Sequence, residues 1–291
     1  MTKLTVQHRT TYAYHRPVQL GPHRLMLRPR ETPELRVCAH TVNISPAAEL
    51  SWASDVFGNI IATANFTGQT DTLVIEGVTE VELSTVAWPV FSIAAAATRY
   101  PFRYSDADWT DLAPLAAQQY PDPDHRLSRW AGAFVAGPTT DTLSLLRDLS
   151  AGVPAWISYQ SRDDEGTQSP TETLRRGWGS CRDFAVLFVE AVRSLGFGAR
   201  LVSGYLFDPD GQLVGLNGAG STHAWAEVFV PGAGWISFDP TNRSMGGHNL
   251  IPVAVTRAME QAAPVSGSFH GSNDALTAMS VSVSVSPTLG A

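Results

Sequence analysis

Residues 179–190 of this 291-residue chain read Gly-Ser-Cys-Arg-Asp-Phe-Ala-Val-Leu-Phe-Val-Glu, and the stretch predicts a helix that begins at a cysteine. From Cys181 onward the apolar residues recur at the spacing of a helix with one face in a core. They occupy positions 184, 185, 187, 188, 191, 192 and 195. A packed helix is therefore expected at the centre of the second half of the chain.

The ends of this helix carry their own signals. Ser180 and Asp183 have the spacing of an N-terminal capping box. Gly196 and Gly198 predict where the helix stops, because glycine readily adopts the left-handed conformation that follows a last turn. Cys181 is then expected in the first turn, at the edge of the buried stripe.

The position of Cys181 allows two interpretations. Unpaired backbone N–H groups and the positive end of the helix dipole favour the thiolate there, and the thiolate is the nucleophilic form of cysteine. The alternative is a small packed core residue, which is the common role of a free cysteine. The local sequence leaves both open.

Two strands further on carry a histidine and an aspartate. Residues 221–230 read Ser-Thr-His-Ala-Trp-Ala-Glu-Val-Phe-Val, and residues 235–240 read Trp-Ile-Ser-Phe-Asp-Pro. The intervening Pro-Gly-Ala-Gly at 231–234 is a turn sequence, so the three segments predict a β-hairpin. His223 then lies near the far end of the first strand, and Asp239 near the matching end of the second.

The register of this hairpin decides whether the two side chains meet. If Val230 pairs with Gly234 across a three-residue loop, Asp239 lies diagonal to His223 on the same face of the sheet. If Val230 pairs with Trp235, Asp239 lies on the opposite face. Three-residue loops that end in glycine are common, and the sequence predicts the first register.

Cysteine, histidine and aspartate in this order can act as nucleophile, base and orienting group. With these motifs the chain resembles the transglutaminase-like superfamily, which shares the papain-type catalytic core, and within it a bacterial group of transglutaminase-like enzymes or cysteine proteases. The resemblance spans roughly residues 1–265, and Ser180 departs from it, because the family usually has a larger apolar residue there. The matching motifs are Gly179–Ala185, His223–Val228, Trp235–Asn242 and, in the N-terminal third, Tyr12–Val18, Leu25–Arg30 and Asp55–Asn59.

The resemblance implies a thiol enzyme that acts on a peptide or carboxamide bond through a thioester acyl-enzyme. Cys181 is the expected nucleophile, His223 the base and Asp239 the orienting acid, and the acyl group passes to water or to an amine. The backbone N–H of Cys181 is an expected oxyanion donor. The alternative is a non-catalytic papain-like scaffold that binds a peptide or a partner protein, although three buried polar residues favour an enzyme.

Four residues near these motifs are candidate substrate contacts: Tyr159, Trp178, Thr222 and Trp225. Arg182 and Asp183 are expected to serve the helix surface and its cap rather than catalysis.

Composition limits the function and its partners. Hydrophobic residues make up 44% of the chain and charged ones 16%, which predicts a folded protein. The net charge of −7 and the absence of a basic stripe argue against nucleic acid. No apolar run approaches the ~18 residues of a membrane span, and the N-terminus lacks a secretory signal. We therefore expect a cytoplasmic enzyme with a peptide or protein substrate and no membrane partner.

Cofactors and disulfides are not expected either. The eight histidines are scattered, and no clustered metal-ligand motif occurs, so the sequence predicts neither a metal nor a cofactor. Two cysteines do not make a disulfide framework, and Cys38, in a strand-like segment, is expected to be a packed structural thiol.

The pattern along the chain predicts an α+β fold in four parts. Residues 1–100 are a succession of short β runs, which predicts a β-sandwich-like domain. Residues 101–139 form a connector with short helices, and residues 140–265 the catalytic core, with a helix packed on an antiparallel sheet. Residues 266–291 are a tail that alternates like a final strand. The oligomeric state is not determined by the sequence.

Overall fold

The computed structural model describes residues 2–162, 166–208, 211–214, 220–272 and 274–288. Residues 215–220 are rich in glycine, and the sequence predicts a loop there that leads into the His223 strand; they lie mostly outside the described residues. Within them, the strands are β1 (Thr2–Leu25), β2 (Leu35–Ser45), β3 (Ala48–Ser54), β4 (Ile60–Phe66), β5 (Gln69–Leu83), β6 (Arg99–Tyr100), β7 (Thr140–Asp141), β8 (Ser158–Tyr159), β9 (Trp178–Gly179), β10 (Ala199–Phe207), β11 (Gly220–Val230), β12 (Gly234–Asp239), β13 (Ser244–Met245), β14 (Leu250–Thr256), β15 (Val265–His270) and β16 (Leu276–Pro287). The α-helices are α1 (Asp106–Ala116), α2 (Arg126–Gly132), α3 (Thr142–Trp156), α4 (Pro170–Arg176) and α5 (Cys181–Ser194).

The N-terminal region is a β domain, as predicted, and in the described residues seven strands form one barrel-like sheet. Its central strand, β1, pairs with β5 along one edge and with β15 and β16 along the other. Register shifts within β1 let this 24-residue strand bend. The β runs therefore belong to one continuous sheet that curls around its own core, rather than to two sheets packed face to face.

The two ends of the chain meet in this sheet. Leu4 pairs with Pro287 and Tyr12 with Met279, so β16 lies antiparallel to the first half of β1. A final strand was predicted at the C-terminus; its partner could not be read from the sequence.

The second half is a helix packed on an antiparallel sheet, which confirms the predicted fold class. The sheet has the order β13-β12-β11-β10-β14. Helix α5 packs across it, and the main core also takes in Leu4, Val6 and Val81 from the N-terminal sheet. Helix α5 is thus held between the sheet and the surrounding helices α2, α3 and α4.

Helix α5 begins and ends where the sequence predicts, with Cys181 as its first residue and Gly196 at φ 89° after the last turn. It differs from the prediction in being buried on every side, from Asp183 to Arg193. Its polar residues are paired instead of solvated, and Glu190 bonds Arg193 at 2.7 Å. The amphipathic pattern marked the face on the sheet, and helices α2, α3 and α4 cover the other sides.

Across the described ranges, no helix combines the length and apolarity that a membrane crossing needs.

Candidate active site

The β11–β12 hairpin has the predicted register. Val230 pairs with Gly234 and Ala226 with Phe238, so the loop contains three residues. As a consequence, His223 Nε2 lies 2.8 Å from the Oδ2 atom of Asp239. Both residues are almost fully buried, so this bond forms away from bulk water.

The residues that follow β12 hold the Asp239 carboxylate. The backbone N–H of Thr241 donates to Oδ1 at 2.9 Å, and the Asn242 side chain donates to Oδ2 at 2.8 Å. The N–H of Val214 donates to the Asn242 side-chain oxygen at 2.8 Å, which fixes the orientation of that amide. Burial raises the pKa of Asp239, but the charge and hydrogen bond of His223 outweigh it, so the pKa lies below its usual range. Asn242 belongs to the Trp235–Asn242 motif, but its contact with Asp239 does not follow from the sequence pattern.

Cys181 lies at the N-terminus of α5 and remains partly exposed. Burial raises the pKa of its thiol, but the neighbouring His223 and the Ala224 N–H lower it by more. The thiol pKa therefore lies below its usual range. Nε2 of His223 is bonded to Asp239, and its buried Nδ1 has no hydrogen-bond partner among the described residues, so Nδ1 is the ring nitrogen left for Cys181.

The pKa of the His223 imidazole is shifted in the opposite direction from that of the thiol. Burial lowers the pKa of His223, but the charge and hydrogen bond of Asp239, together with Cys181, raise it above its usual range. A lowered thiol pKa beside a raised imidazole pKa favours a thiolate–imidazolium pair. The structure thus brings together the three residues that the sequence singled out for catalysis.

Asp183 joins the helix start to the preceding loop. Its Oδ2 accepts from the backbone N–H and the hydroxyl of Ser180, each at 2.9 Å. Arg162 donates to both carboxylate oxygens at 3.0 Å, and the Gln168 N–H donates to Oδ1 at 2.7 Å. The predicted cap is confirmed, whereas a place on the helix surface is wrong, because Asp183 is fully buried.

No sequence signal pointed to Arg162. It lies 21 residues before Asp183, in a polar loop with no periodic pattern. Burial raises the pKa of Asp183, but the bonds from Arg162 and Ser180 lower it by more. The carboxylate therefore stays charged inside the protein.

Two of the four predicted substrate contacts precede Cys181. Tyr159 pairs with Gly179 in the short β8–β9 ladder, and its ring meets Phe184 edge-on at 6.0 Å. Burial, followed by the charges of Cys181 and Asp239, raises the pKa of Tyr159 to about 12. The Tyr159 ring is thus placed beside the start of α5.

Trp178 is half-buried, and the guanidinium of Arg176 lies 5.4 Å from the centroid of its ring. Thr222 is exposed next to His223.

Trp225 differs from its prediction. Only 1% of it is exposed, its ring stacks on His223 at 6.2 Å, and it packs with Val202 and Leu206. A substrate contact is wrong for this residue, because its side chain is buried. Trp225 instead supports the imidazole from behind.

The other cysteine is also placed differently from expectation. Cys38 is exposed at a register shift between Val37 and Ala39, so it is not a packed thiol. Among the described residues, no group of three histidine, cysteine or acidic side chains is placed to hold a metal ion.

Two regions of the chain match known protein families. Residues 4–82 match the bacterial transglutaminase-like N-terminal region, and residues 128–240 match the transglutaminase-like superfamily. An uncharacterised protein of Mycobacterium tuberculosis is 29% identical over 307 residues, covering 98% of this chain and 93% of that protein. A shorter match, 33% identical over 92 residues, joins the chain to a protein-glutamine gamma-glutamyltransferase of Pseudomonas aeruginosa; it covers 29% of this chain and 12% of that enzyme.

The fold as a whole is similar to a crystal structure from Cytophaga hutchinsonii that carries the name “putative cysteine protease”. The TM-score is 0.73 at 19% sequence identity, and the match covers 100% of this chain and 92% of the other. This likeness extends through both the β domain and the core.

Proposed function

Because the chain belongs to the transglutaminase-like superfamily and carries its bacterial N-terminal region, we propose that it is a thiol enzyme with a Cys181-His223-Asp239 triad. Its substrates are peptide or carboxamide bonds, and its intermediate is a thioester. The observation that carries the proposal is the buried bond of 2.8 Å between His223 and Asp239, beside a cysteine at a helix start. That arrangement supplies a nucleophile, a base and an orienting carboxylate.

Acylation follows from the proposed charge states. The Cys181 thiolate attacks the carbonyl carbon, and the carbonyl oxygen takes up the negative charge. The first N–H of α5 has no acceptor within the helix, so the Cys181 N–H is free to donate to that oxygen. The imidazolium of His223 then gives its proton to the leaving amine or ammonia, the carbon–nitrogen bond breaks, and a thioester remains.

Deacylation uses neutral His223 as a base. It takes a proton from water or from an acceptor amine, which attacks the thioester carbon and releases Cys181 as thiolate. Asp239 keeps the imidazole oriented through both steps. The acceptor, water or amine, decides between hydrolysis and acyl transfer, and the name of the Pseudomonas aeruginosa relative supports testing an amine.

Three residues that lie near Cys181 or His223 in the chain or in the fold are proposed to contact the substrate: Tyr159, Trp178 and Thr222. Tyr159 is held beside Gly179 and the start of α5, and its pKa responds to the charge of Cys181. Its hydroxyl is therefore suited to hydrogen-bond an acyl group on the thiol.

The test is to trap the acyl-enzyme. The protein is incubated with libraries of peptides and carboxamides, with and without an added amine, and intact mass and released products are measured. We expect an acyl adduct on the wild-type protein and on the matched Cys38→Ser variant, and none on Cys181→Ala. The product with added amine distinguishes transfer from hydrolysis.

A peptide that binds the wild-type protein and Cys181→Ala equally, with no adduct or product, would contradict the proposal. That outcome would instead identify a binding scaffold.

A further inference from the structure

The N-terminal sheet contains a cavity of about 500 Å³ that includes none of the triad residues. Its walls include Arg28, Arg30, Glu31, His40 and Trp52. Cavities that hold small ligands measure ~300–1,000 Å³ and combine apolar walls with a few polar groups. The volume of this half-open cavity falls in that range, and its lining combines the apolar Pro29, Trp52 and Ile60 with charged groups.

Two motifs from the sequence meet at this cavity. Arg30, from the Leu25–Arg30 motif, donates to the Phe57 carbonyl at 2.9 Å and to the Asn59 side chain at 2.7 Å. Asn59 in turn bonds the backbone of Val255 in β14. These contacts join the β domain to the core and account for Arg30 and Asn59. They do not account for Arg28, His40 or Trp52, which lie on the cavity wall.

The charge around the cavity is positive, although the chain as a whole is negative. Its lining has two guanidinium groups and one carboxylate, whereas the net charge of the chain is −7. Arg28 is 3.7 Å from Glu31, a loose contact, and about a third of its side chain is exposed. Arg28 therefore has hydrogen-bond donors available for an anion.

His40 contributes a neutral ring to the wall. Its Nδ1 is 2.8 Å from the Thr79 hydroxyl, and its Nε2 is buried with no partner among the described residues. Burial, followed by the charge of Arg28, lowers the pKa of His40 to about 4, so the ring is neutral near pH 7. If the Thr79 hydroxyl donates to Nδ1, Nε2 carries the proton. A buried polar atom without a partner is uncommon in a folded protein.

Trp52 supplies a flat apolar wall. Half of it is exposed, and it meets the ring of His40 edge-on at 6.0 Å. An exposed indole beside two guanidinium groups suits a ligand that has an aromatic ring next to an anionic group.

From this arrangement we propose that the cavity binds a small aromatic carboxylate, with its carboxylate on Arg28 and its ring against Trp52. The same chemistry occurs in a free aromatic acid and in a peptide that ends in an aromatic residue. The site is separate from the triad, and it does not depend on the proposed enzymatic activity.

The experiment measures binding in the full-length Cys181→Ala protein, so that the triad thiol plays no part. Benzoate and acetyl-Gly-Phe are titrated by calorimetry, and their neutral counterparts benzamide and acetyl-Gly-Phe amide serve as ligand controls. We expect both acids to bind in the millimolar range or tighter and both amides to bind much more weakly. The tighter of the two acids identifies the source of the ligand.

Two variants and the NMR signals of His40 test whether benzoate binds in this cavity. Arg28→Gln should weaken the affinity for benzoate by about tenfold, because a charged hydrogen-bond partner is lost. The matched variant Arg36→Gln, which removes an exposed arginine paired with Glu82 in the same domain, should leave it unchanged. In the parent protein, benzoate should move the side-chain NMR signals of His40 and leave those of His223 in place. The proposal is overturned if neither acid binds, if Arg28→Gln binds benzoate as the parent does, or if the His40 signals stay fixed.

Discussion

At the scale of single residues, the proposed site depends on groups that hold the triad as well as on the triad itself. Asn242 is the clearest case. Its side-chain amide donates to Oδ2 of Asp239, the same oxygen that is bonded to His223 Nε2. The backbone N–H of Val214 donates to the Asn242 side-chain oxygen and so fixes the orientation of the amide. Asn242 is therefore a positioning residue for the carboxylate.

Asn242→Ala should lower kcat/KM roughly tenfold or more, because a charged hydrogen bond to the carboxylate is lost. The same variant should shift the pH profile of Cys181 alkylation towards higher pH, which a purely structural role would not do. Thr241→Ala is the control, since Thr241 bonds Asp239 only through its backbone N–H. Equal alkylation profiles for Asn242→Ala and the wild-type protein would remove Asn242 from this role.

Asp183 predicts a pH dependence of stability. Its pKa is lowered by folding, so its contribution is fully present above the pKa of an unfolded aspartate, ~3.9, and is lost as pH falls through the folded pKa. Asp183→Asn should reduce the free energy of unfolding by roughly 3 kcal/mol at pH 7, since Arg162 loses its buried partner. That difference should shrink in acid.

The measurement is urea unfolding at a series of pH values. Asp148→Asn is the control, because the exposed pair of Asp148 and Arg147 should contribute less than about 1 kcal/mol. A difference between Asp183→Asn and the wild-type protein that stays constant down to the acid limit would contradict this account.

At the scale of elements, the β11–β12 hairpin sets the geometry of the site. Gly232 and Gly234 both have positive φ, 87° and 74°. A Cβ on Gly232 would lie 2.5 Å from the backbone nitrogen of Ala94, whereas a Cβ on Gly234 would meet nothing within 4 Å. An alanine at position 234 would therefore cause backbone strain alone, whereas an alanine at position 232 would cause the same strain and a steric overlap as well.

We expect Gly234→Ala to destabilise the protein by about 1 kcal/mol through the left-handed backbone alone. Gly232→Ala should cost roughly 3 kcal/mol, because the segment at residues 92–94 must also move. Denaturant midpoints for the two variants test this. Equal denaturant midpoints for the two variants would contradict this, because they would mean that residues 92–94 accommodate the methyl group of Gly232→Ala at no cost.

Local sequence signals predicted these elements well. The cap of α5, its end at Gly196 and the three-residue hairpin loop each follow from a few neighbouring residues, and the structure contains all three. Prediction failed where covering segments come from elsewhere in the chain. Trp225 is buried among residues of neighbouring strands, and Asp183 is enclosed by the loop that carries Arg162. The burial of Trp225 and of Asp183 by these segments produces no periodic pattern in the sequence around either residue.

At the scale of the whole molecule, β16 closes the β domain against the core. Val285 is 1% exposed and belongs to the main core, whereas Val281 on the same strand is 47% exposed. The pairing of β16 with β1 joins opposite ends of the chain. Alternation predicted the strand, but the choice of partner depends on tertiary packing that a single sequence does not display.

Val285→Asp should destabilise the protein by roughly 3 kcal/mol or more, because an unpaired carboxylate enters an apolar core. Val281→Asp should change stability by less than about 1 kcal/mol, since its side chain stays in water. Thermal unfolding of the two variants tests whether β16 is an integral part of the fold. Similar melting temperatures for both would show that it is not.

The central claim is that Cys181, His223 and Asp239 act as one unit, and the alkylation rate of Cys181 against pH tests it most directly. The measurement uses the Cys38→Ser protein, in which Cys181 is the remaining thiol, and compares it with the same protein carrying His223→Ala. Because His223 helps to lower the thiol pKa, the rate in the first protein should reach a plateau below the ~8.5 of a free thiol and decline as acid protonates the thiolate. In the His223→Ala variant the rate should rise only near that value or above it. Identical profiles in the two proteins, both rising only above ~8.5, would contradict the account.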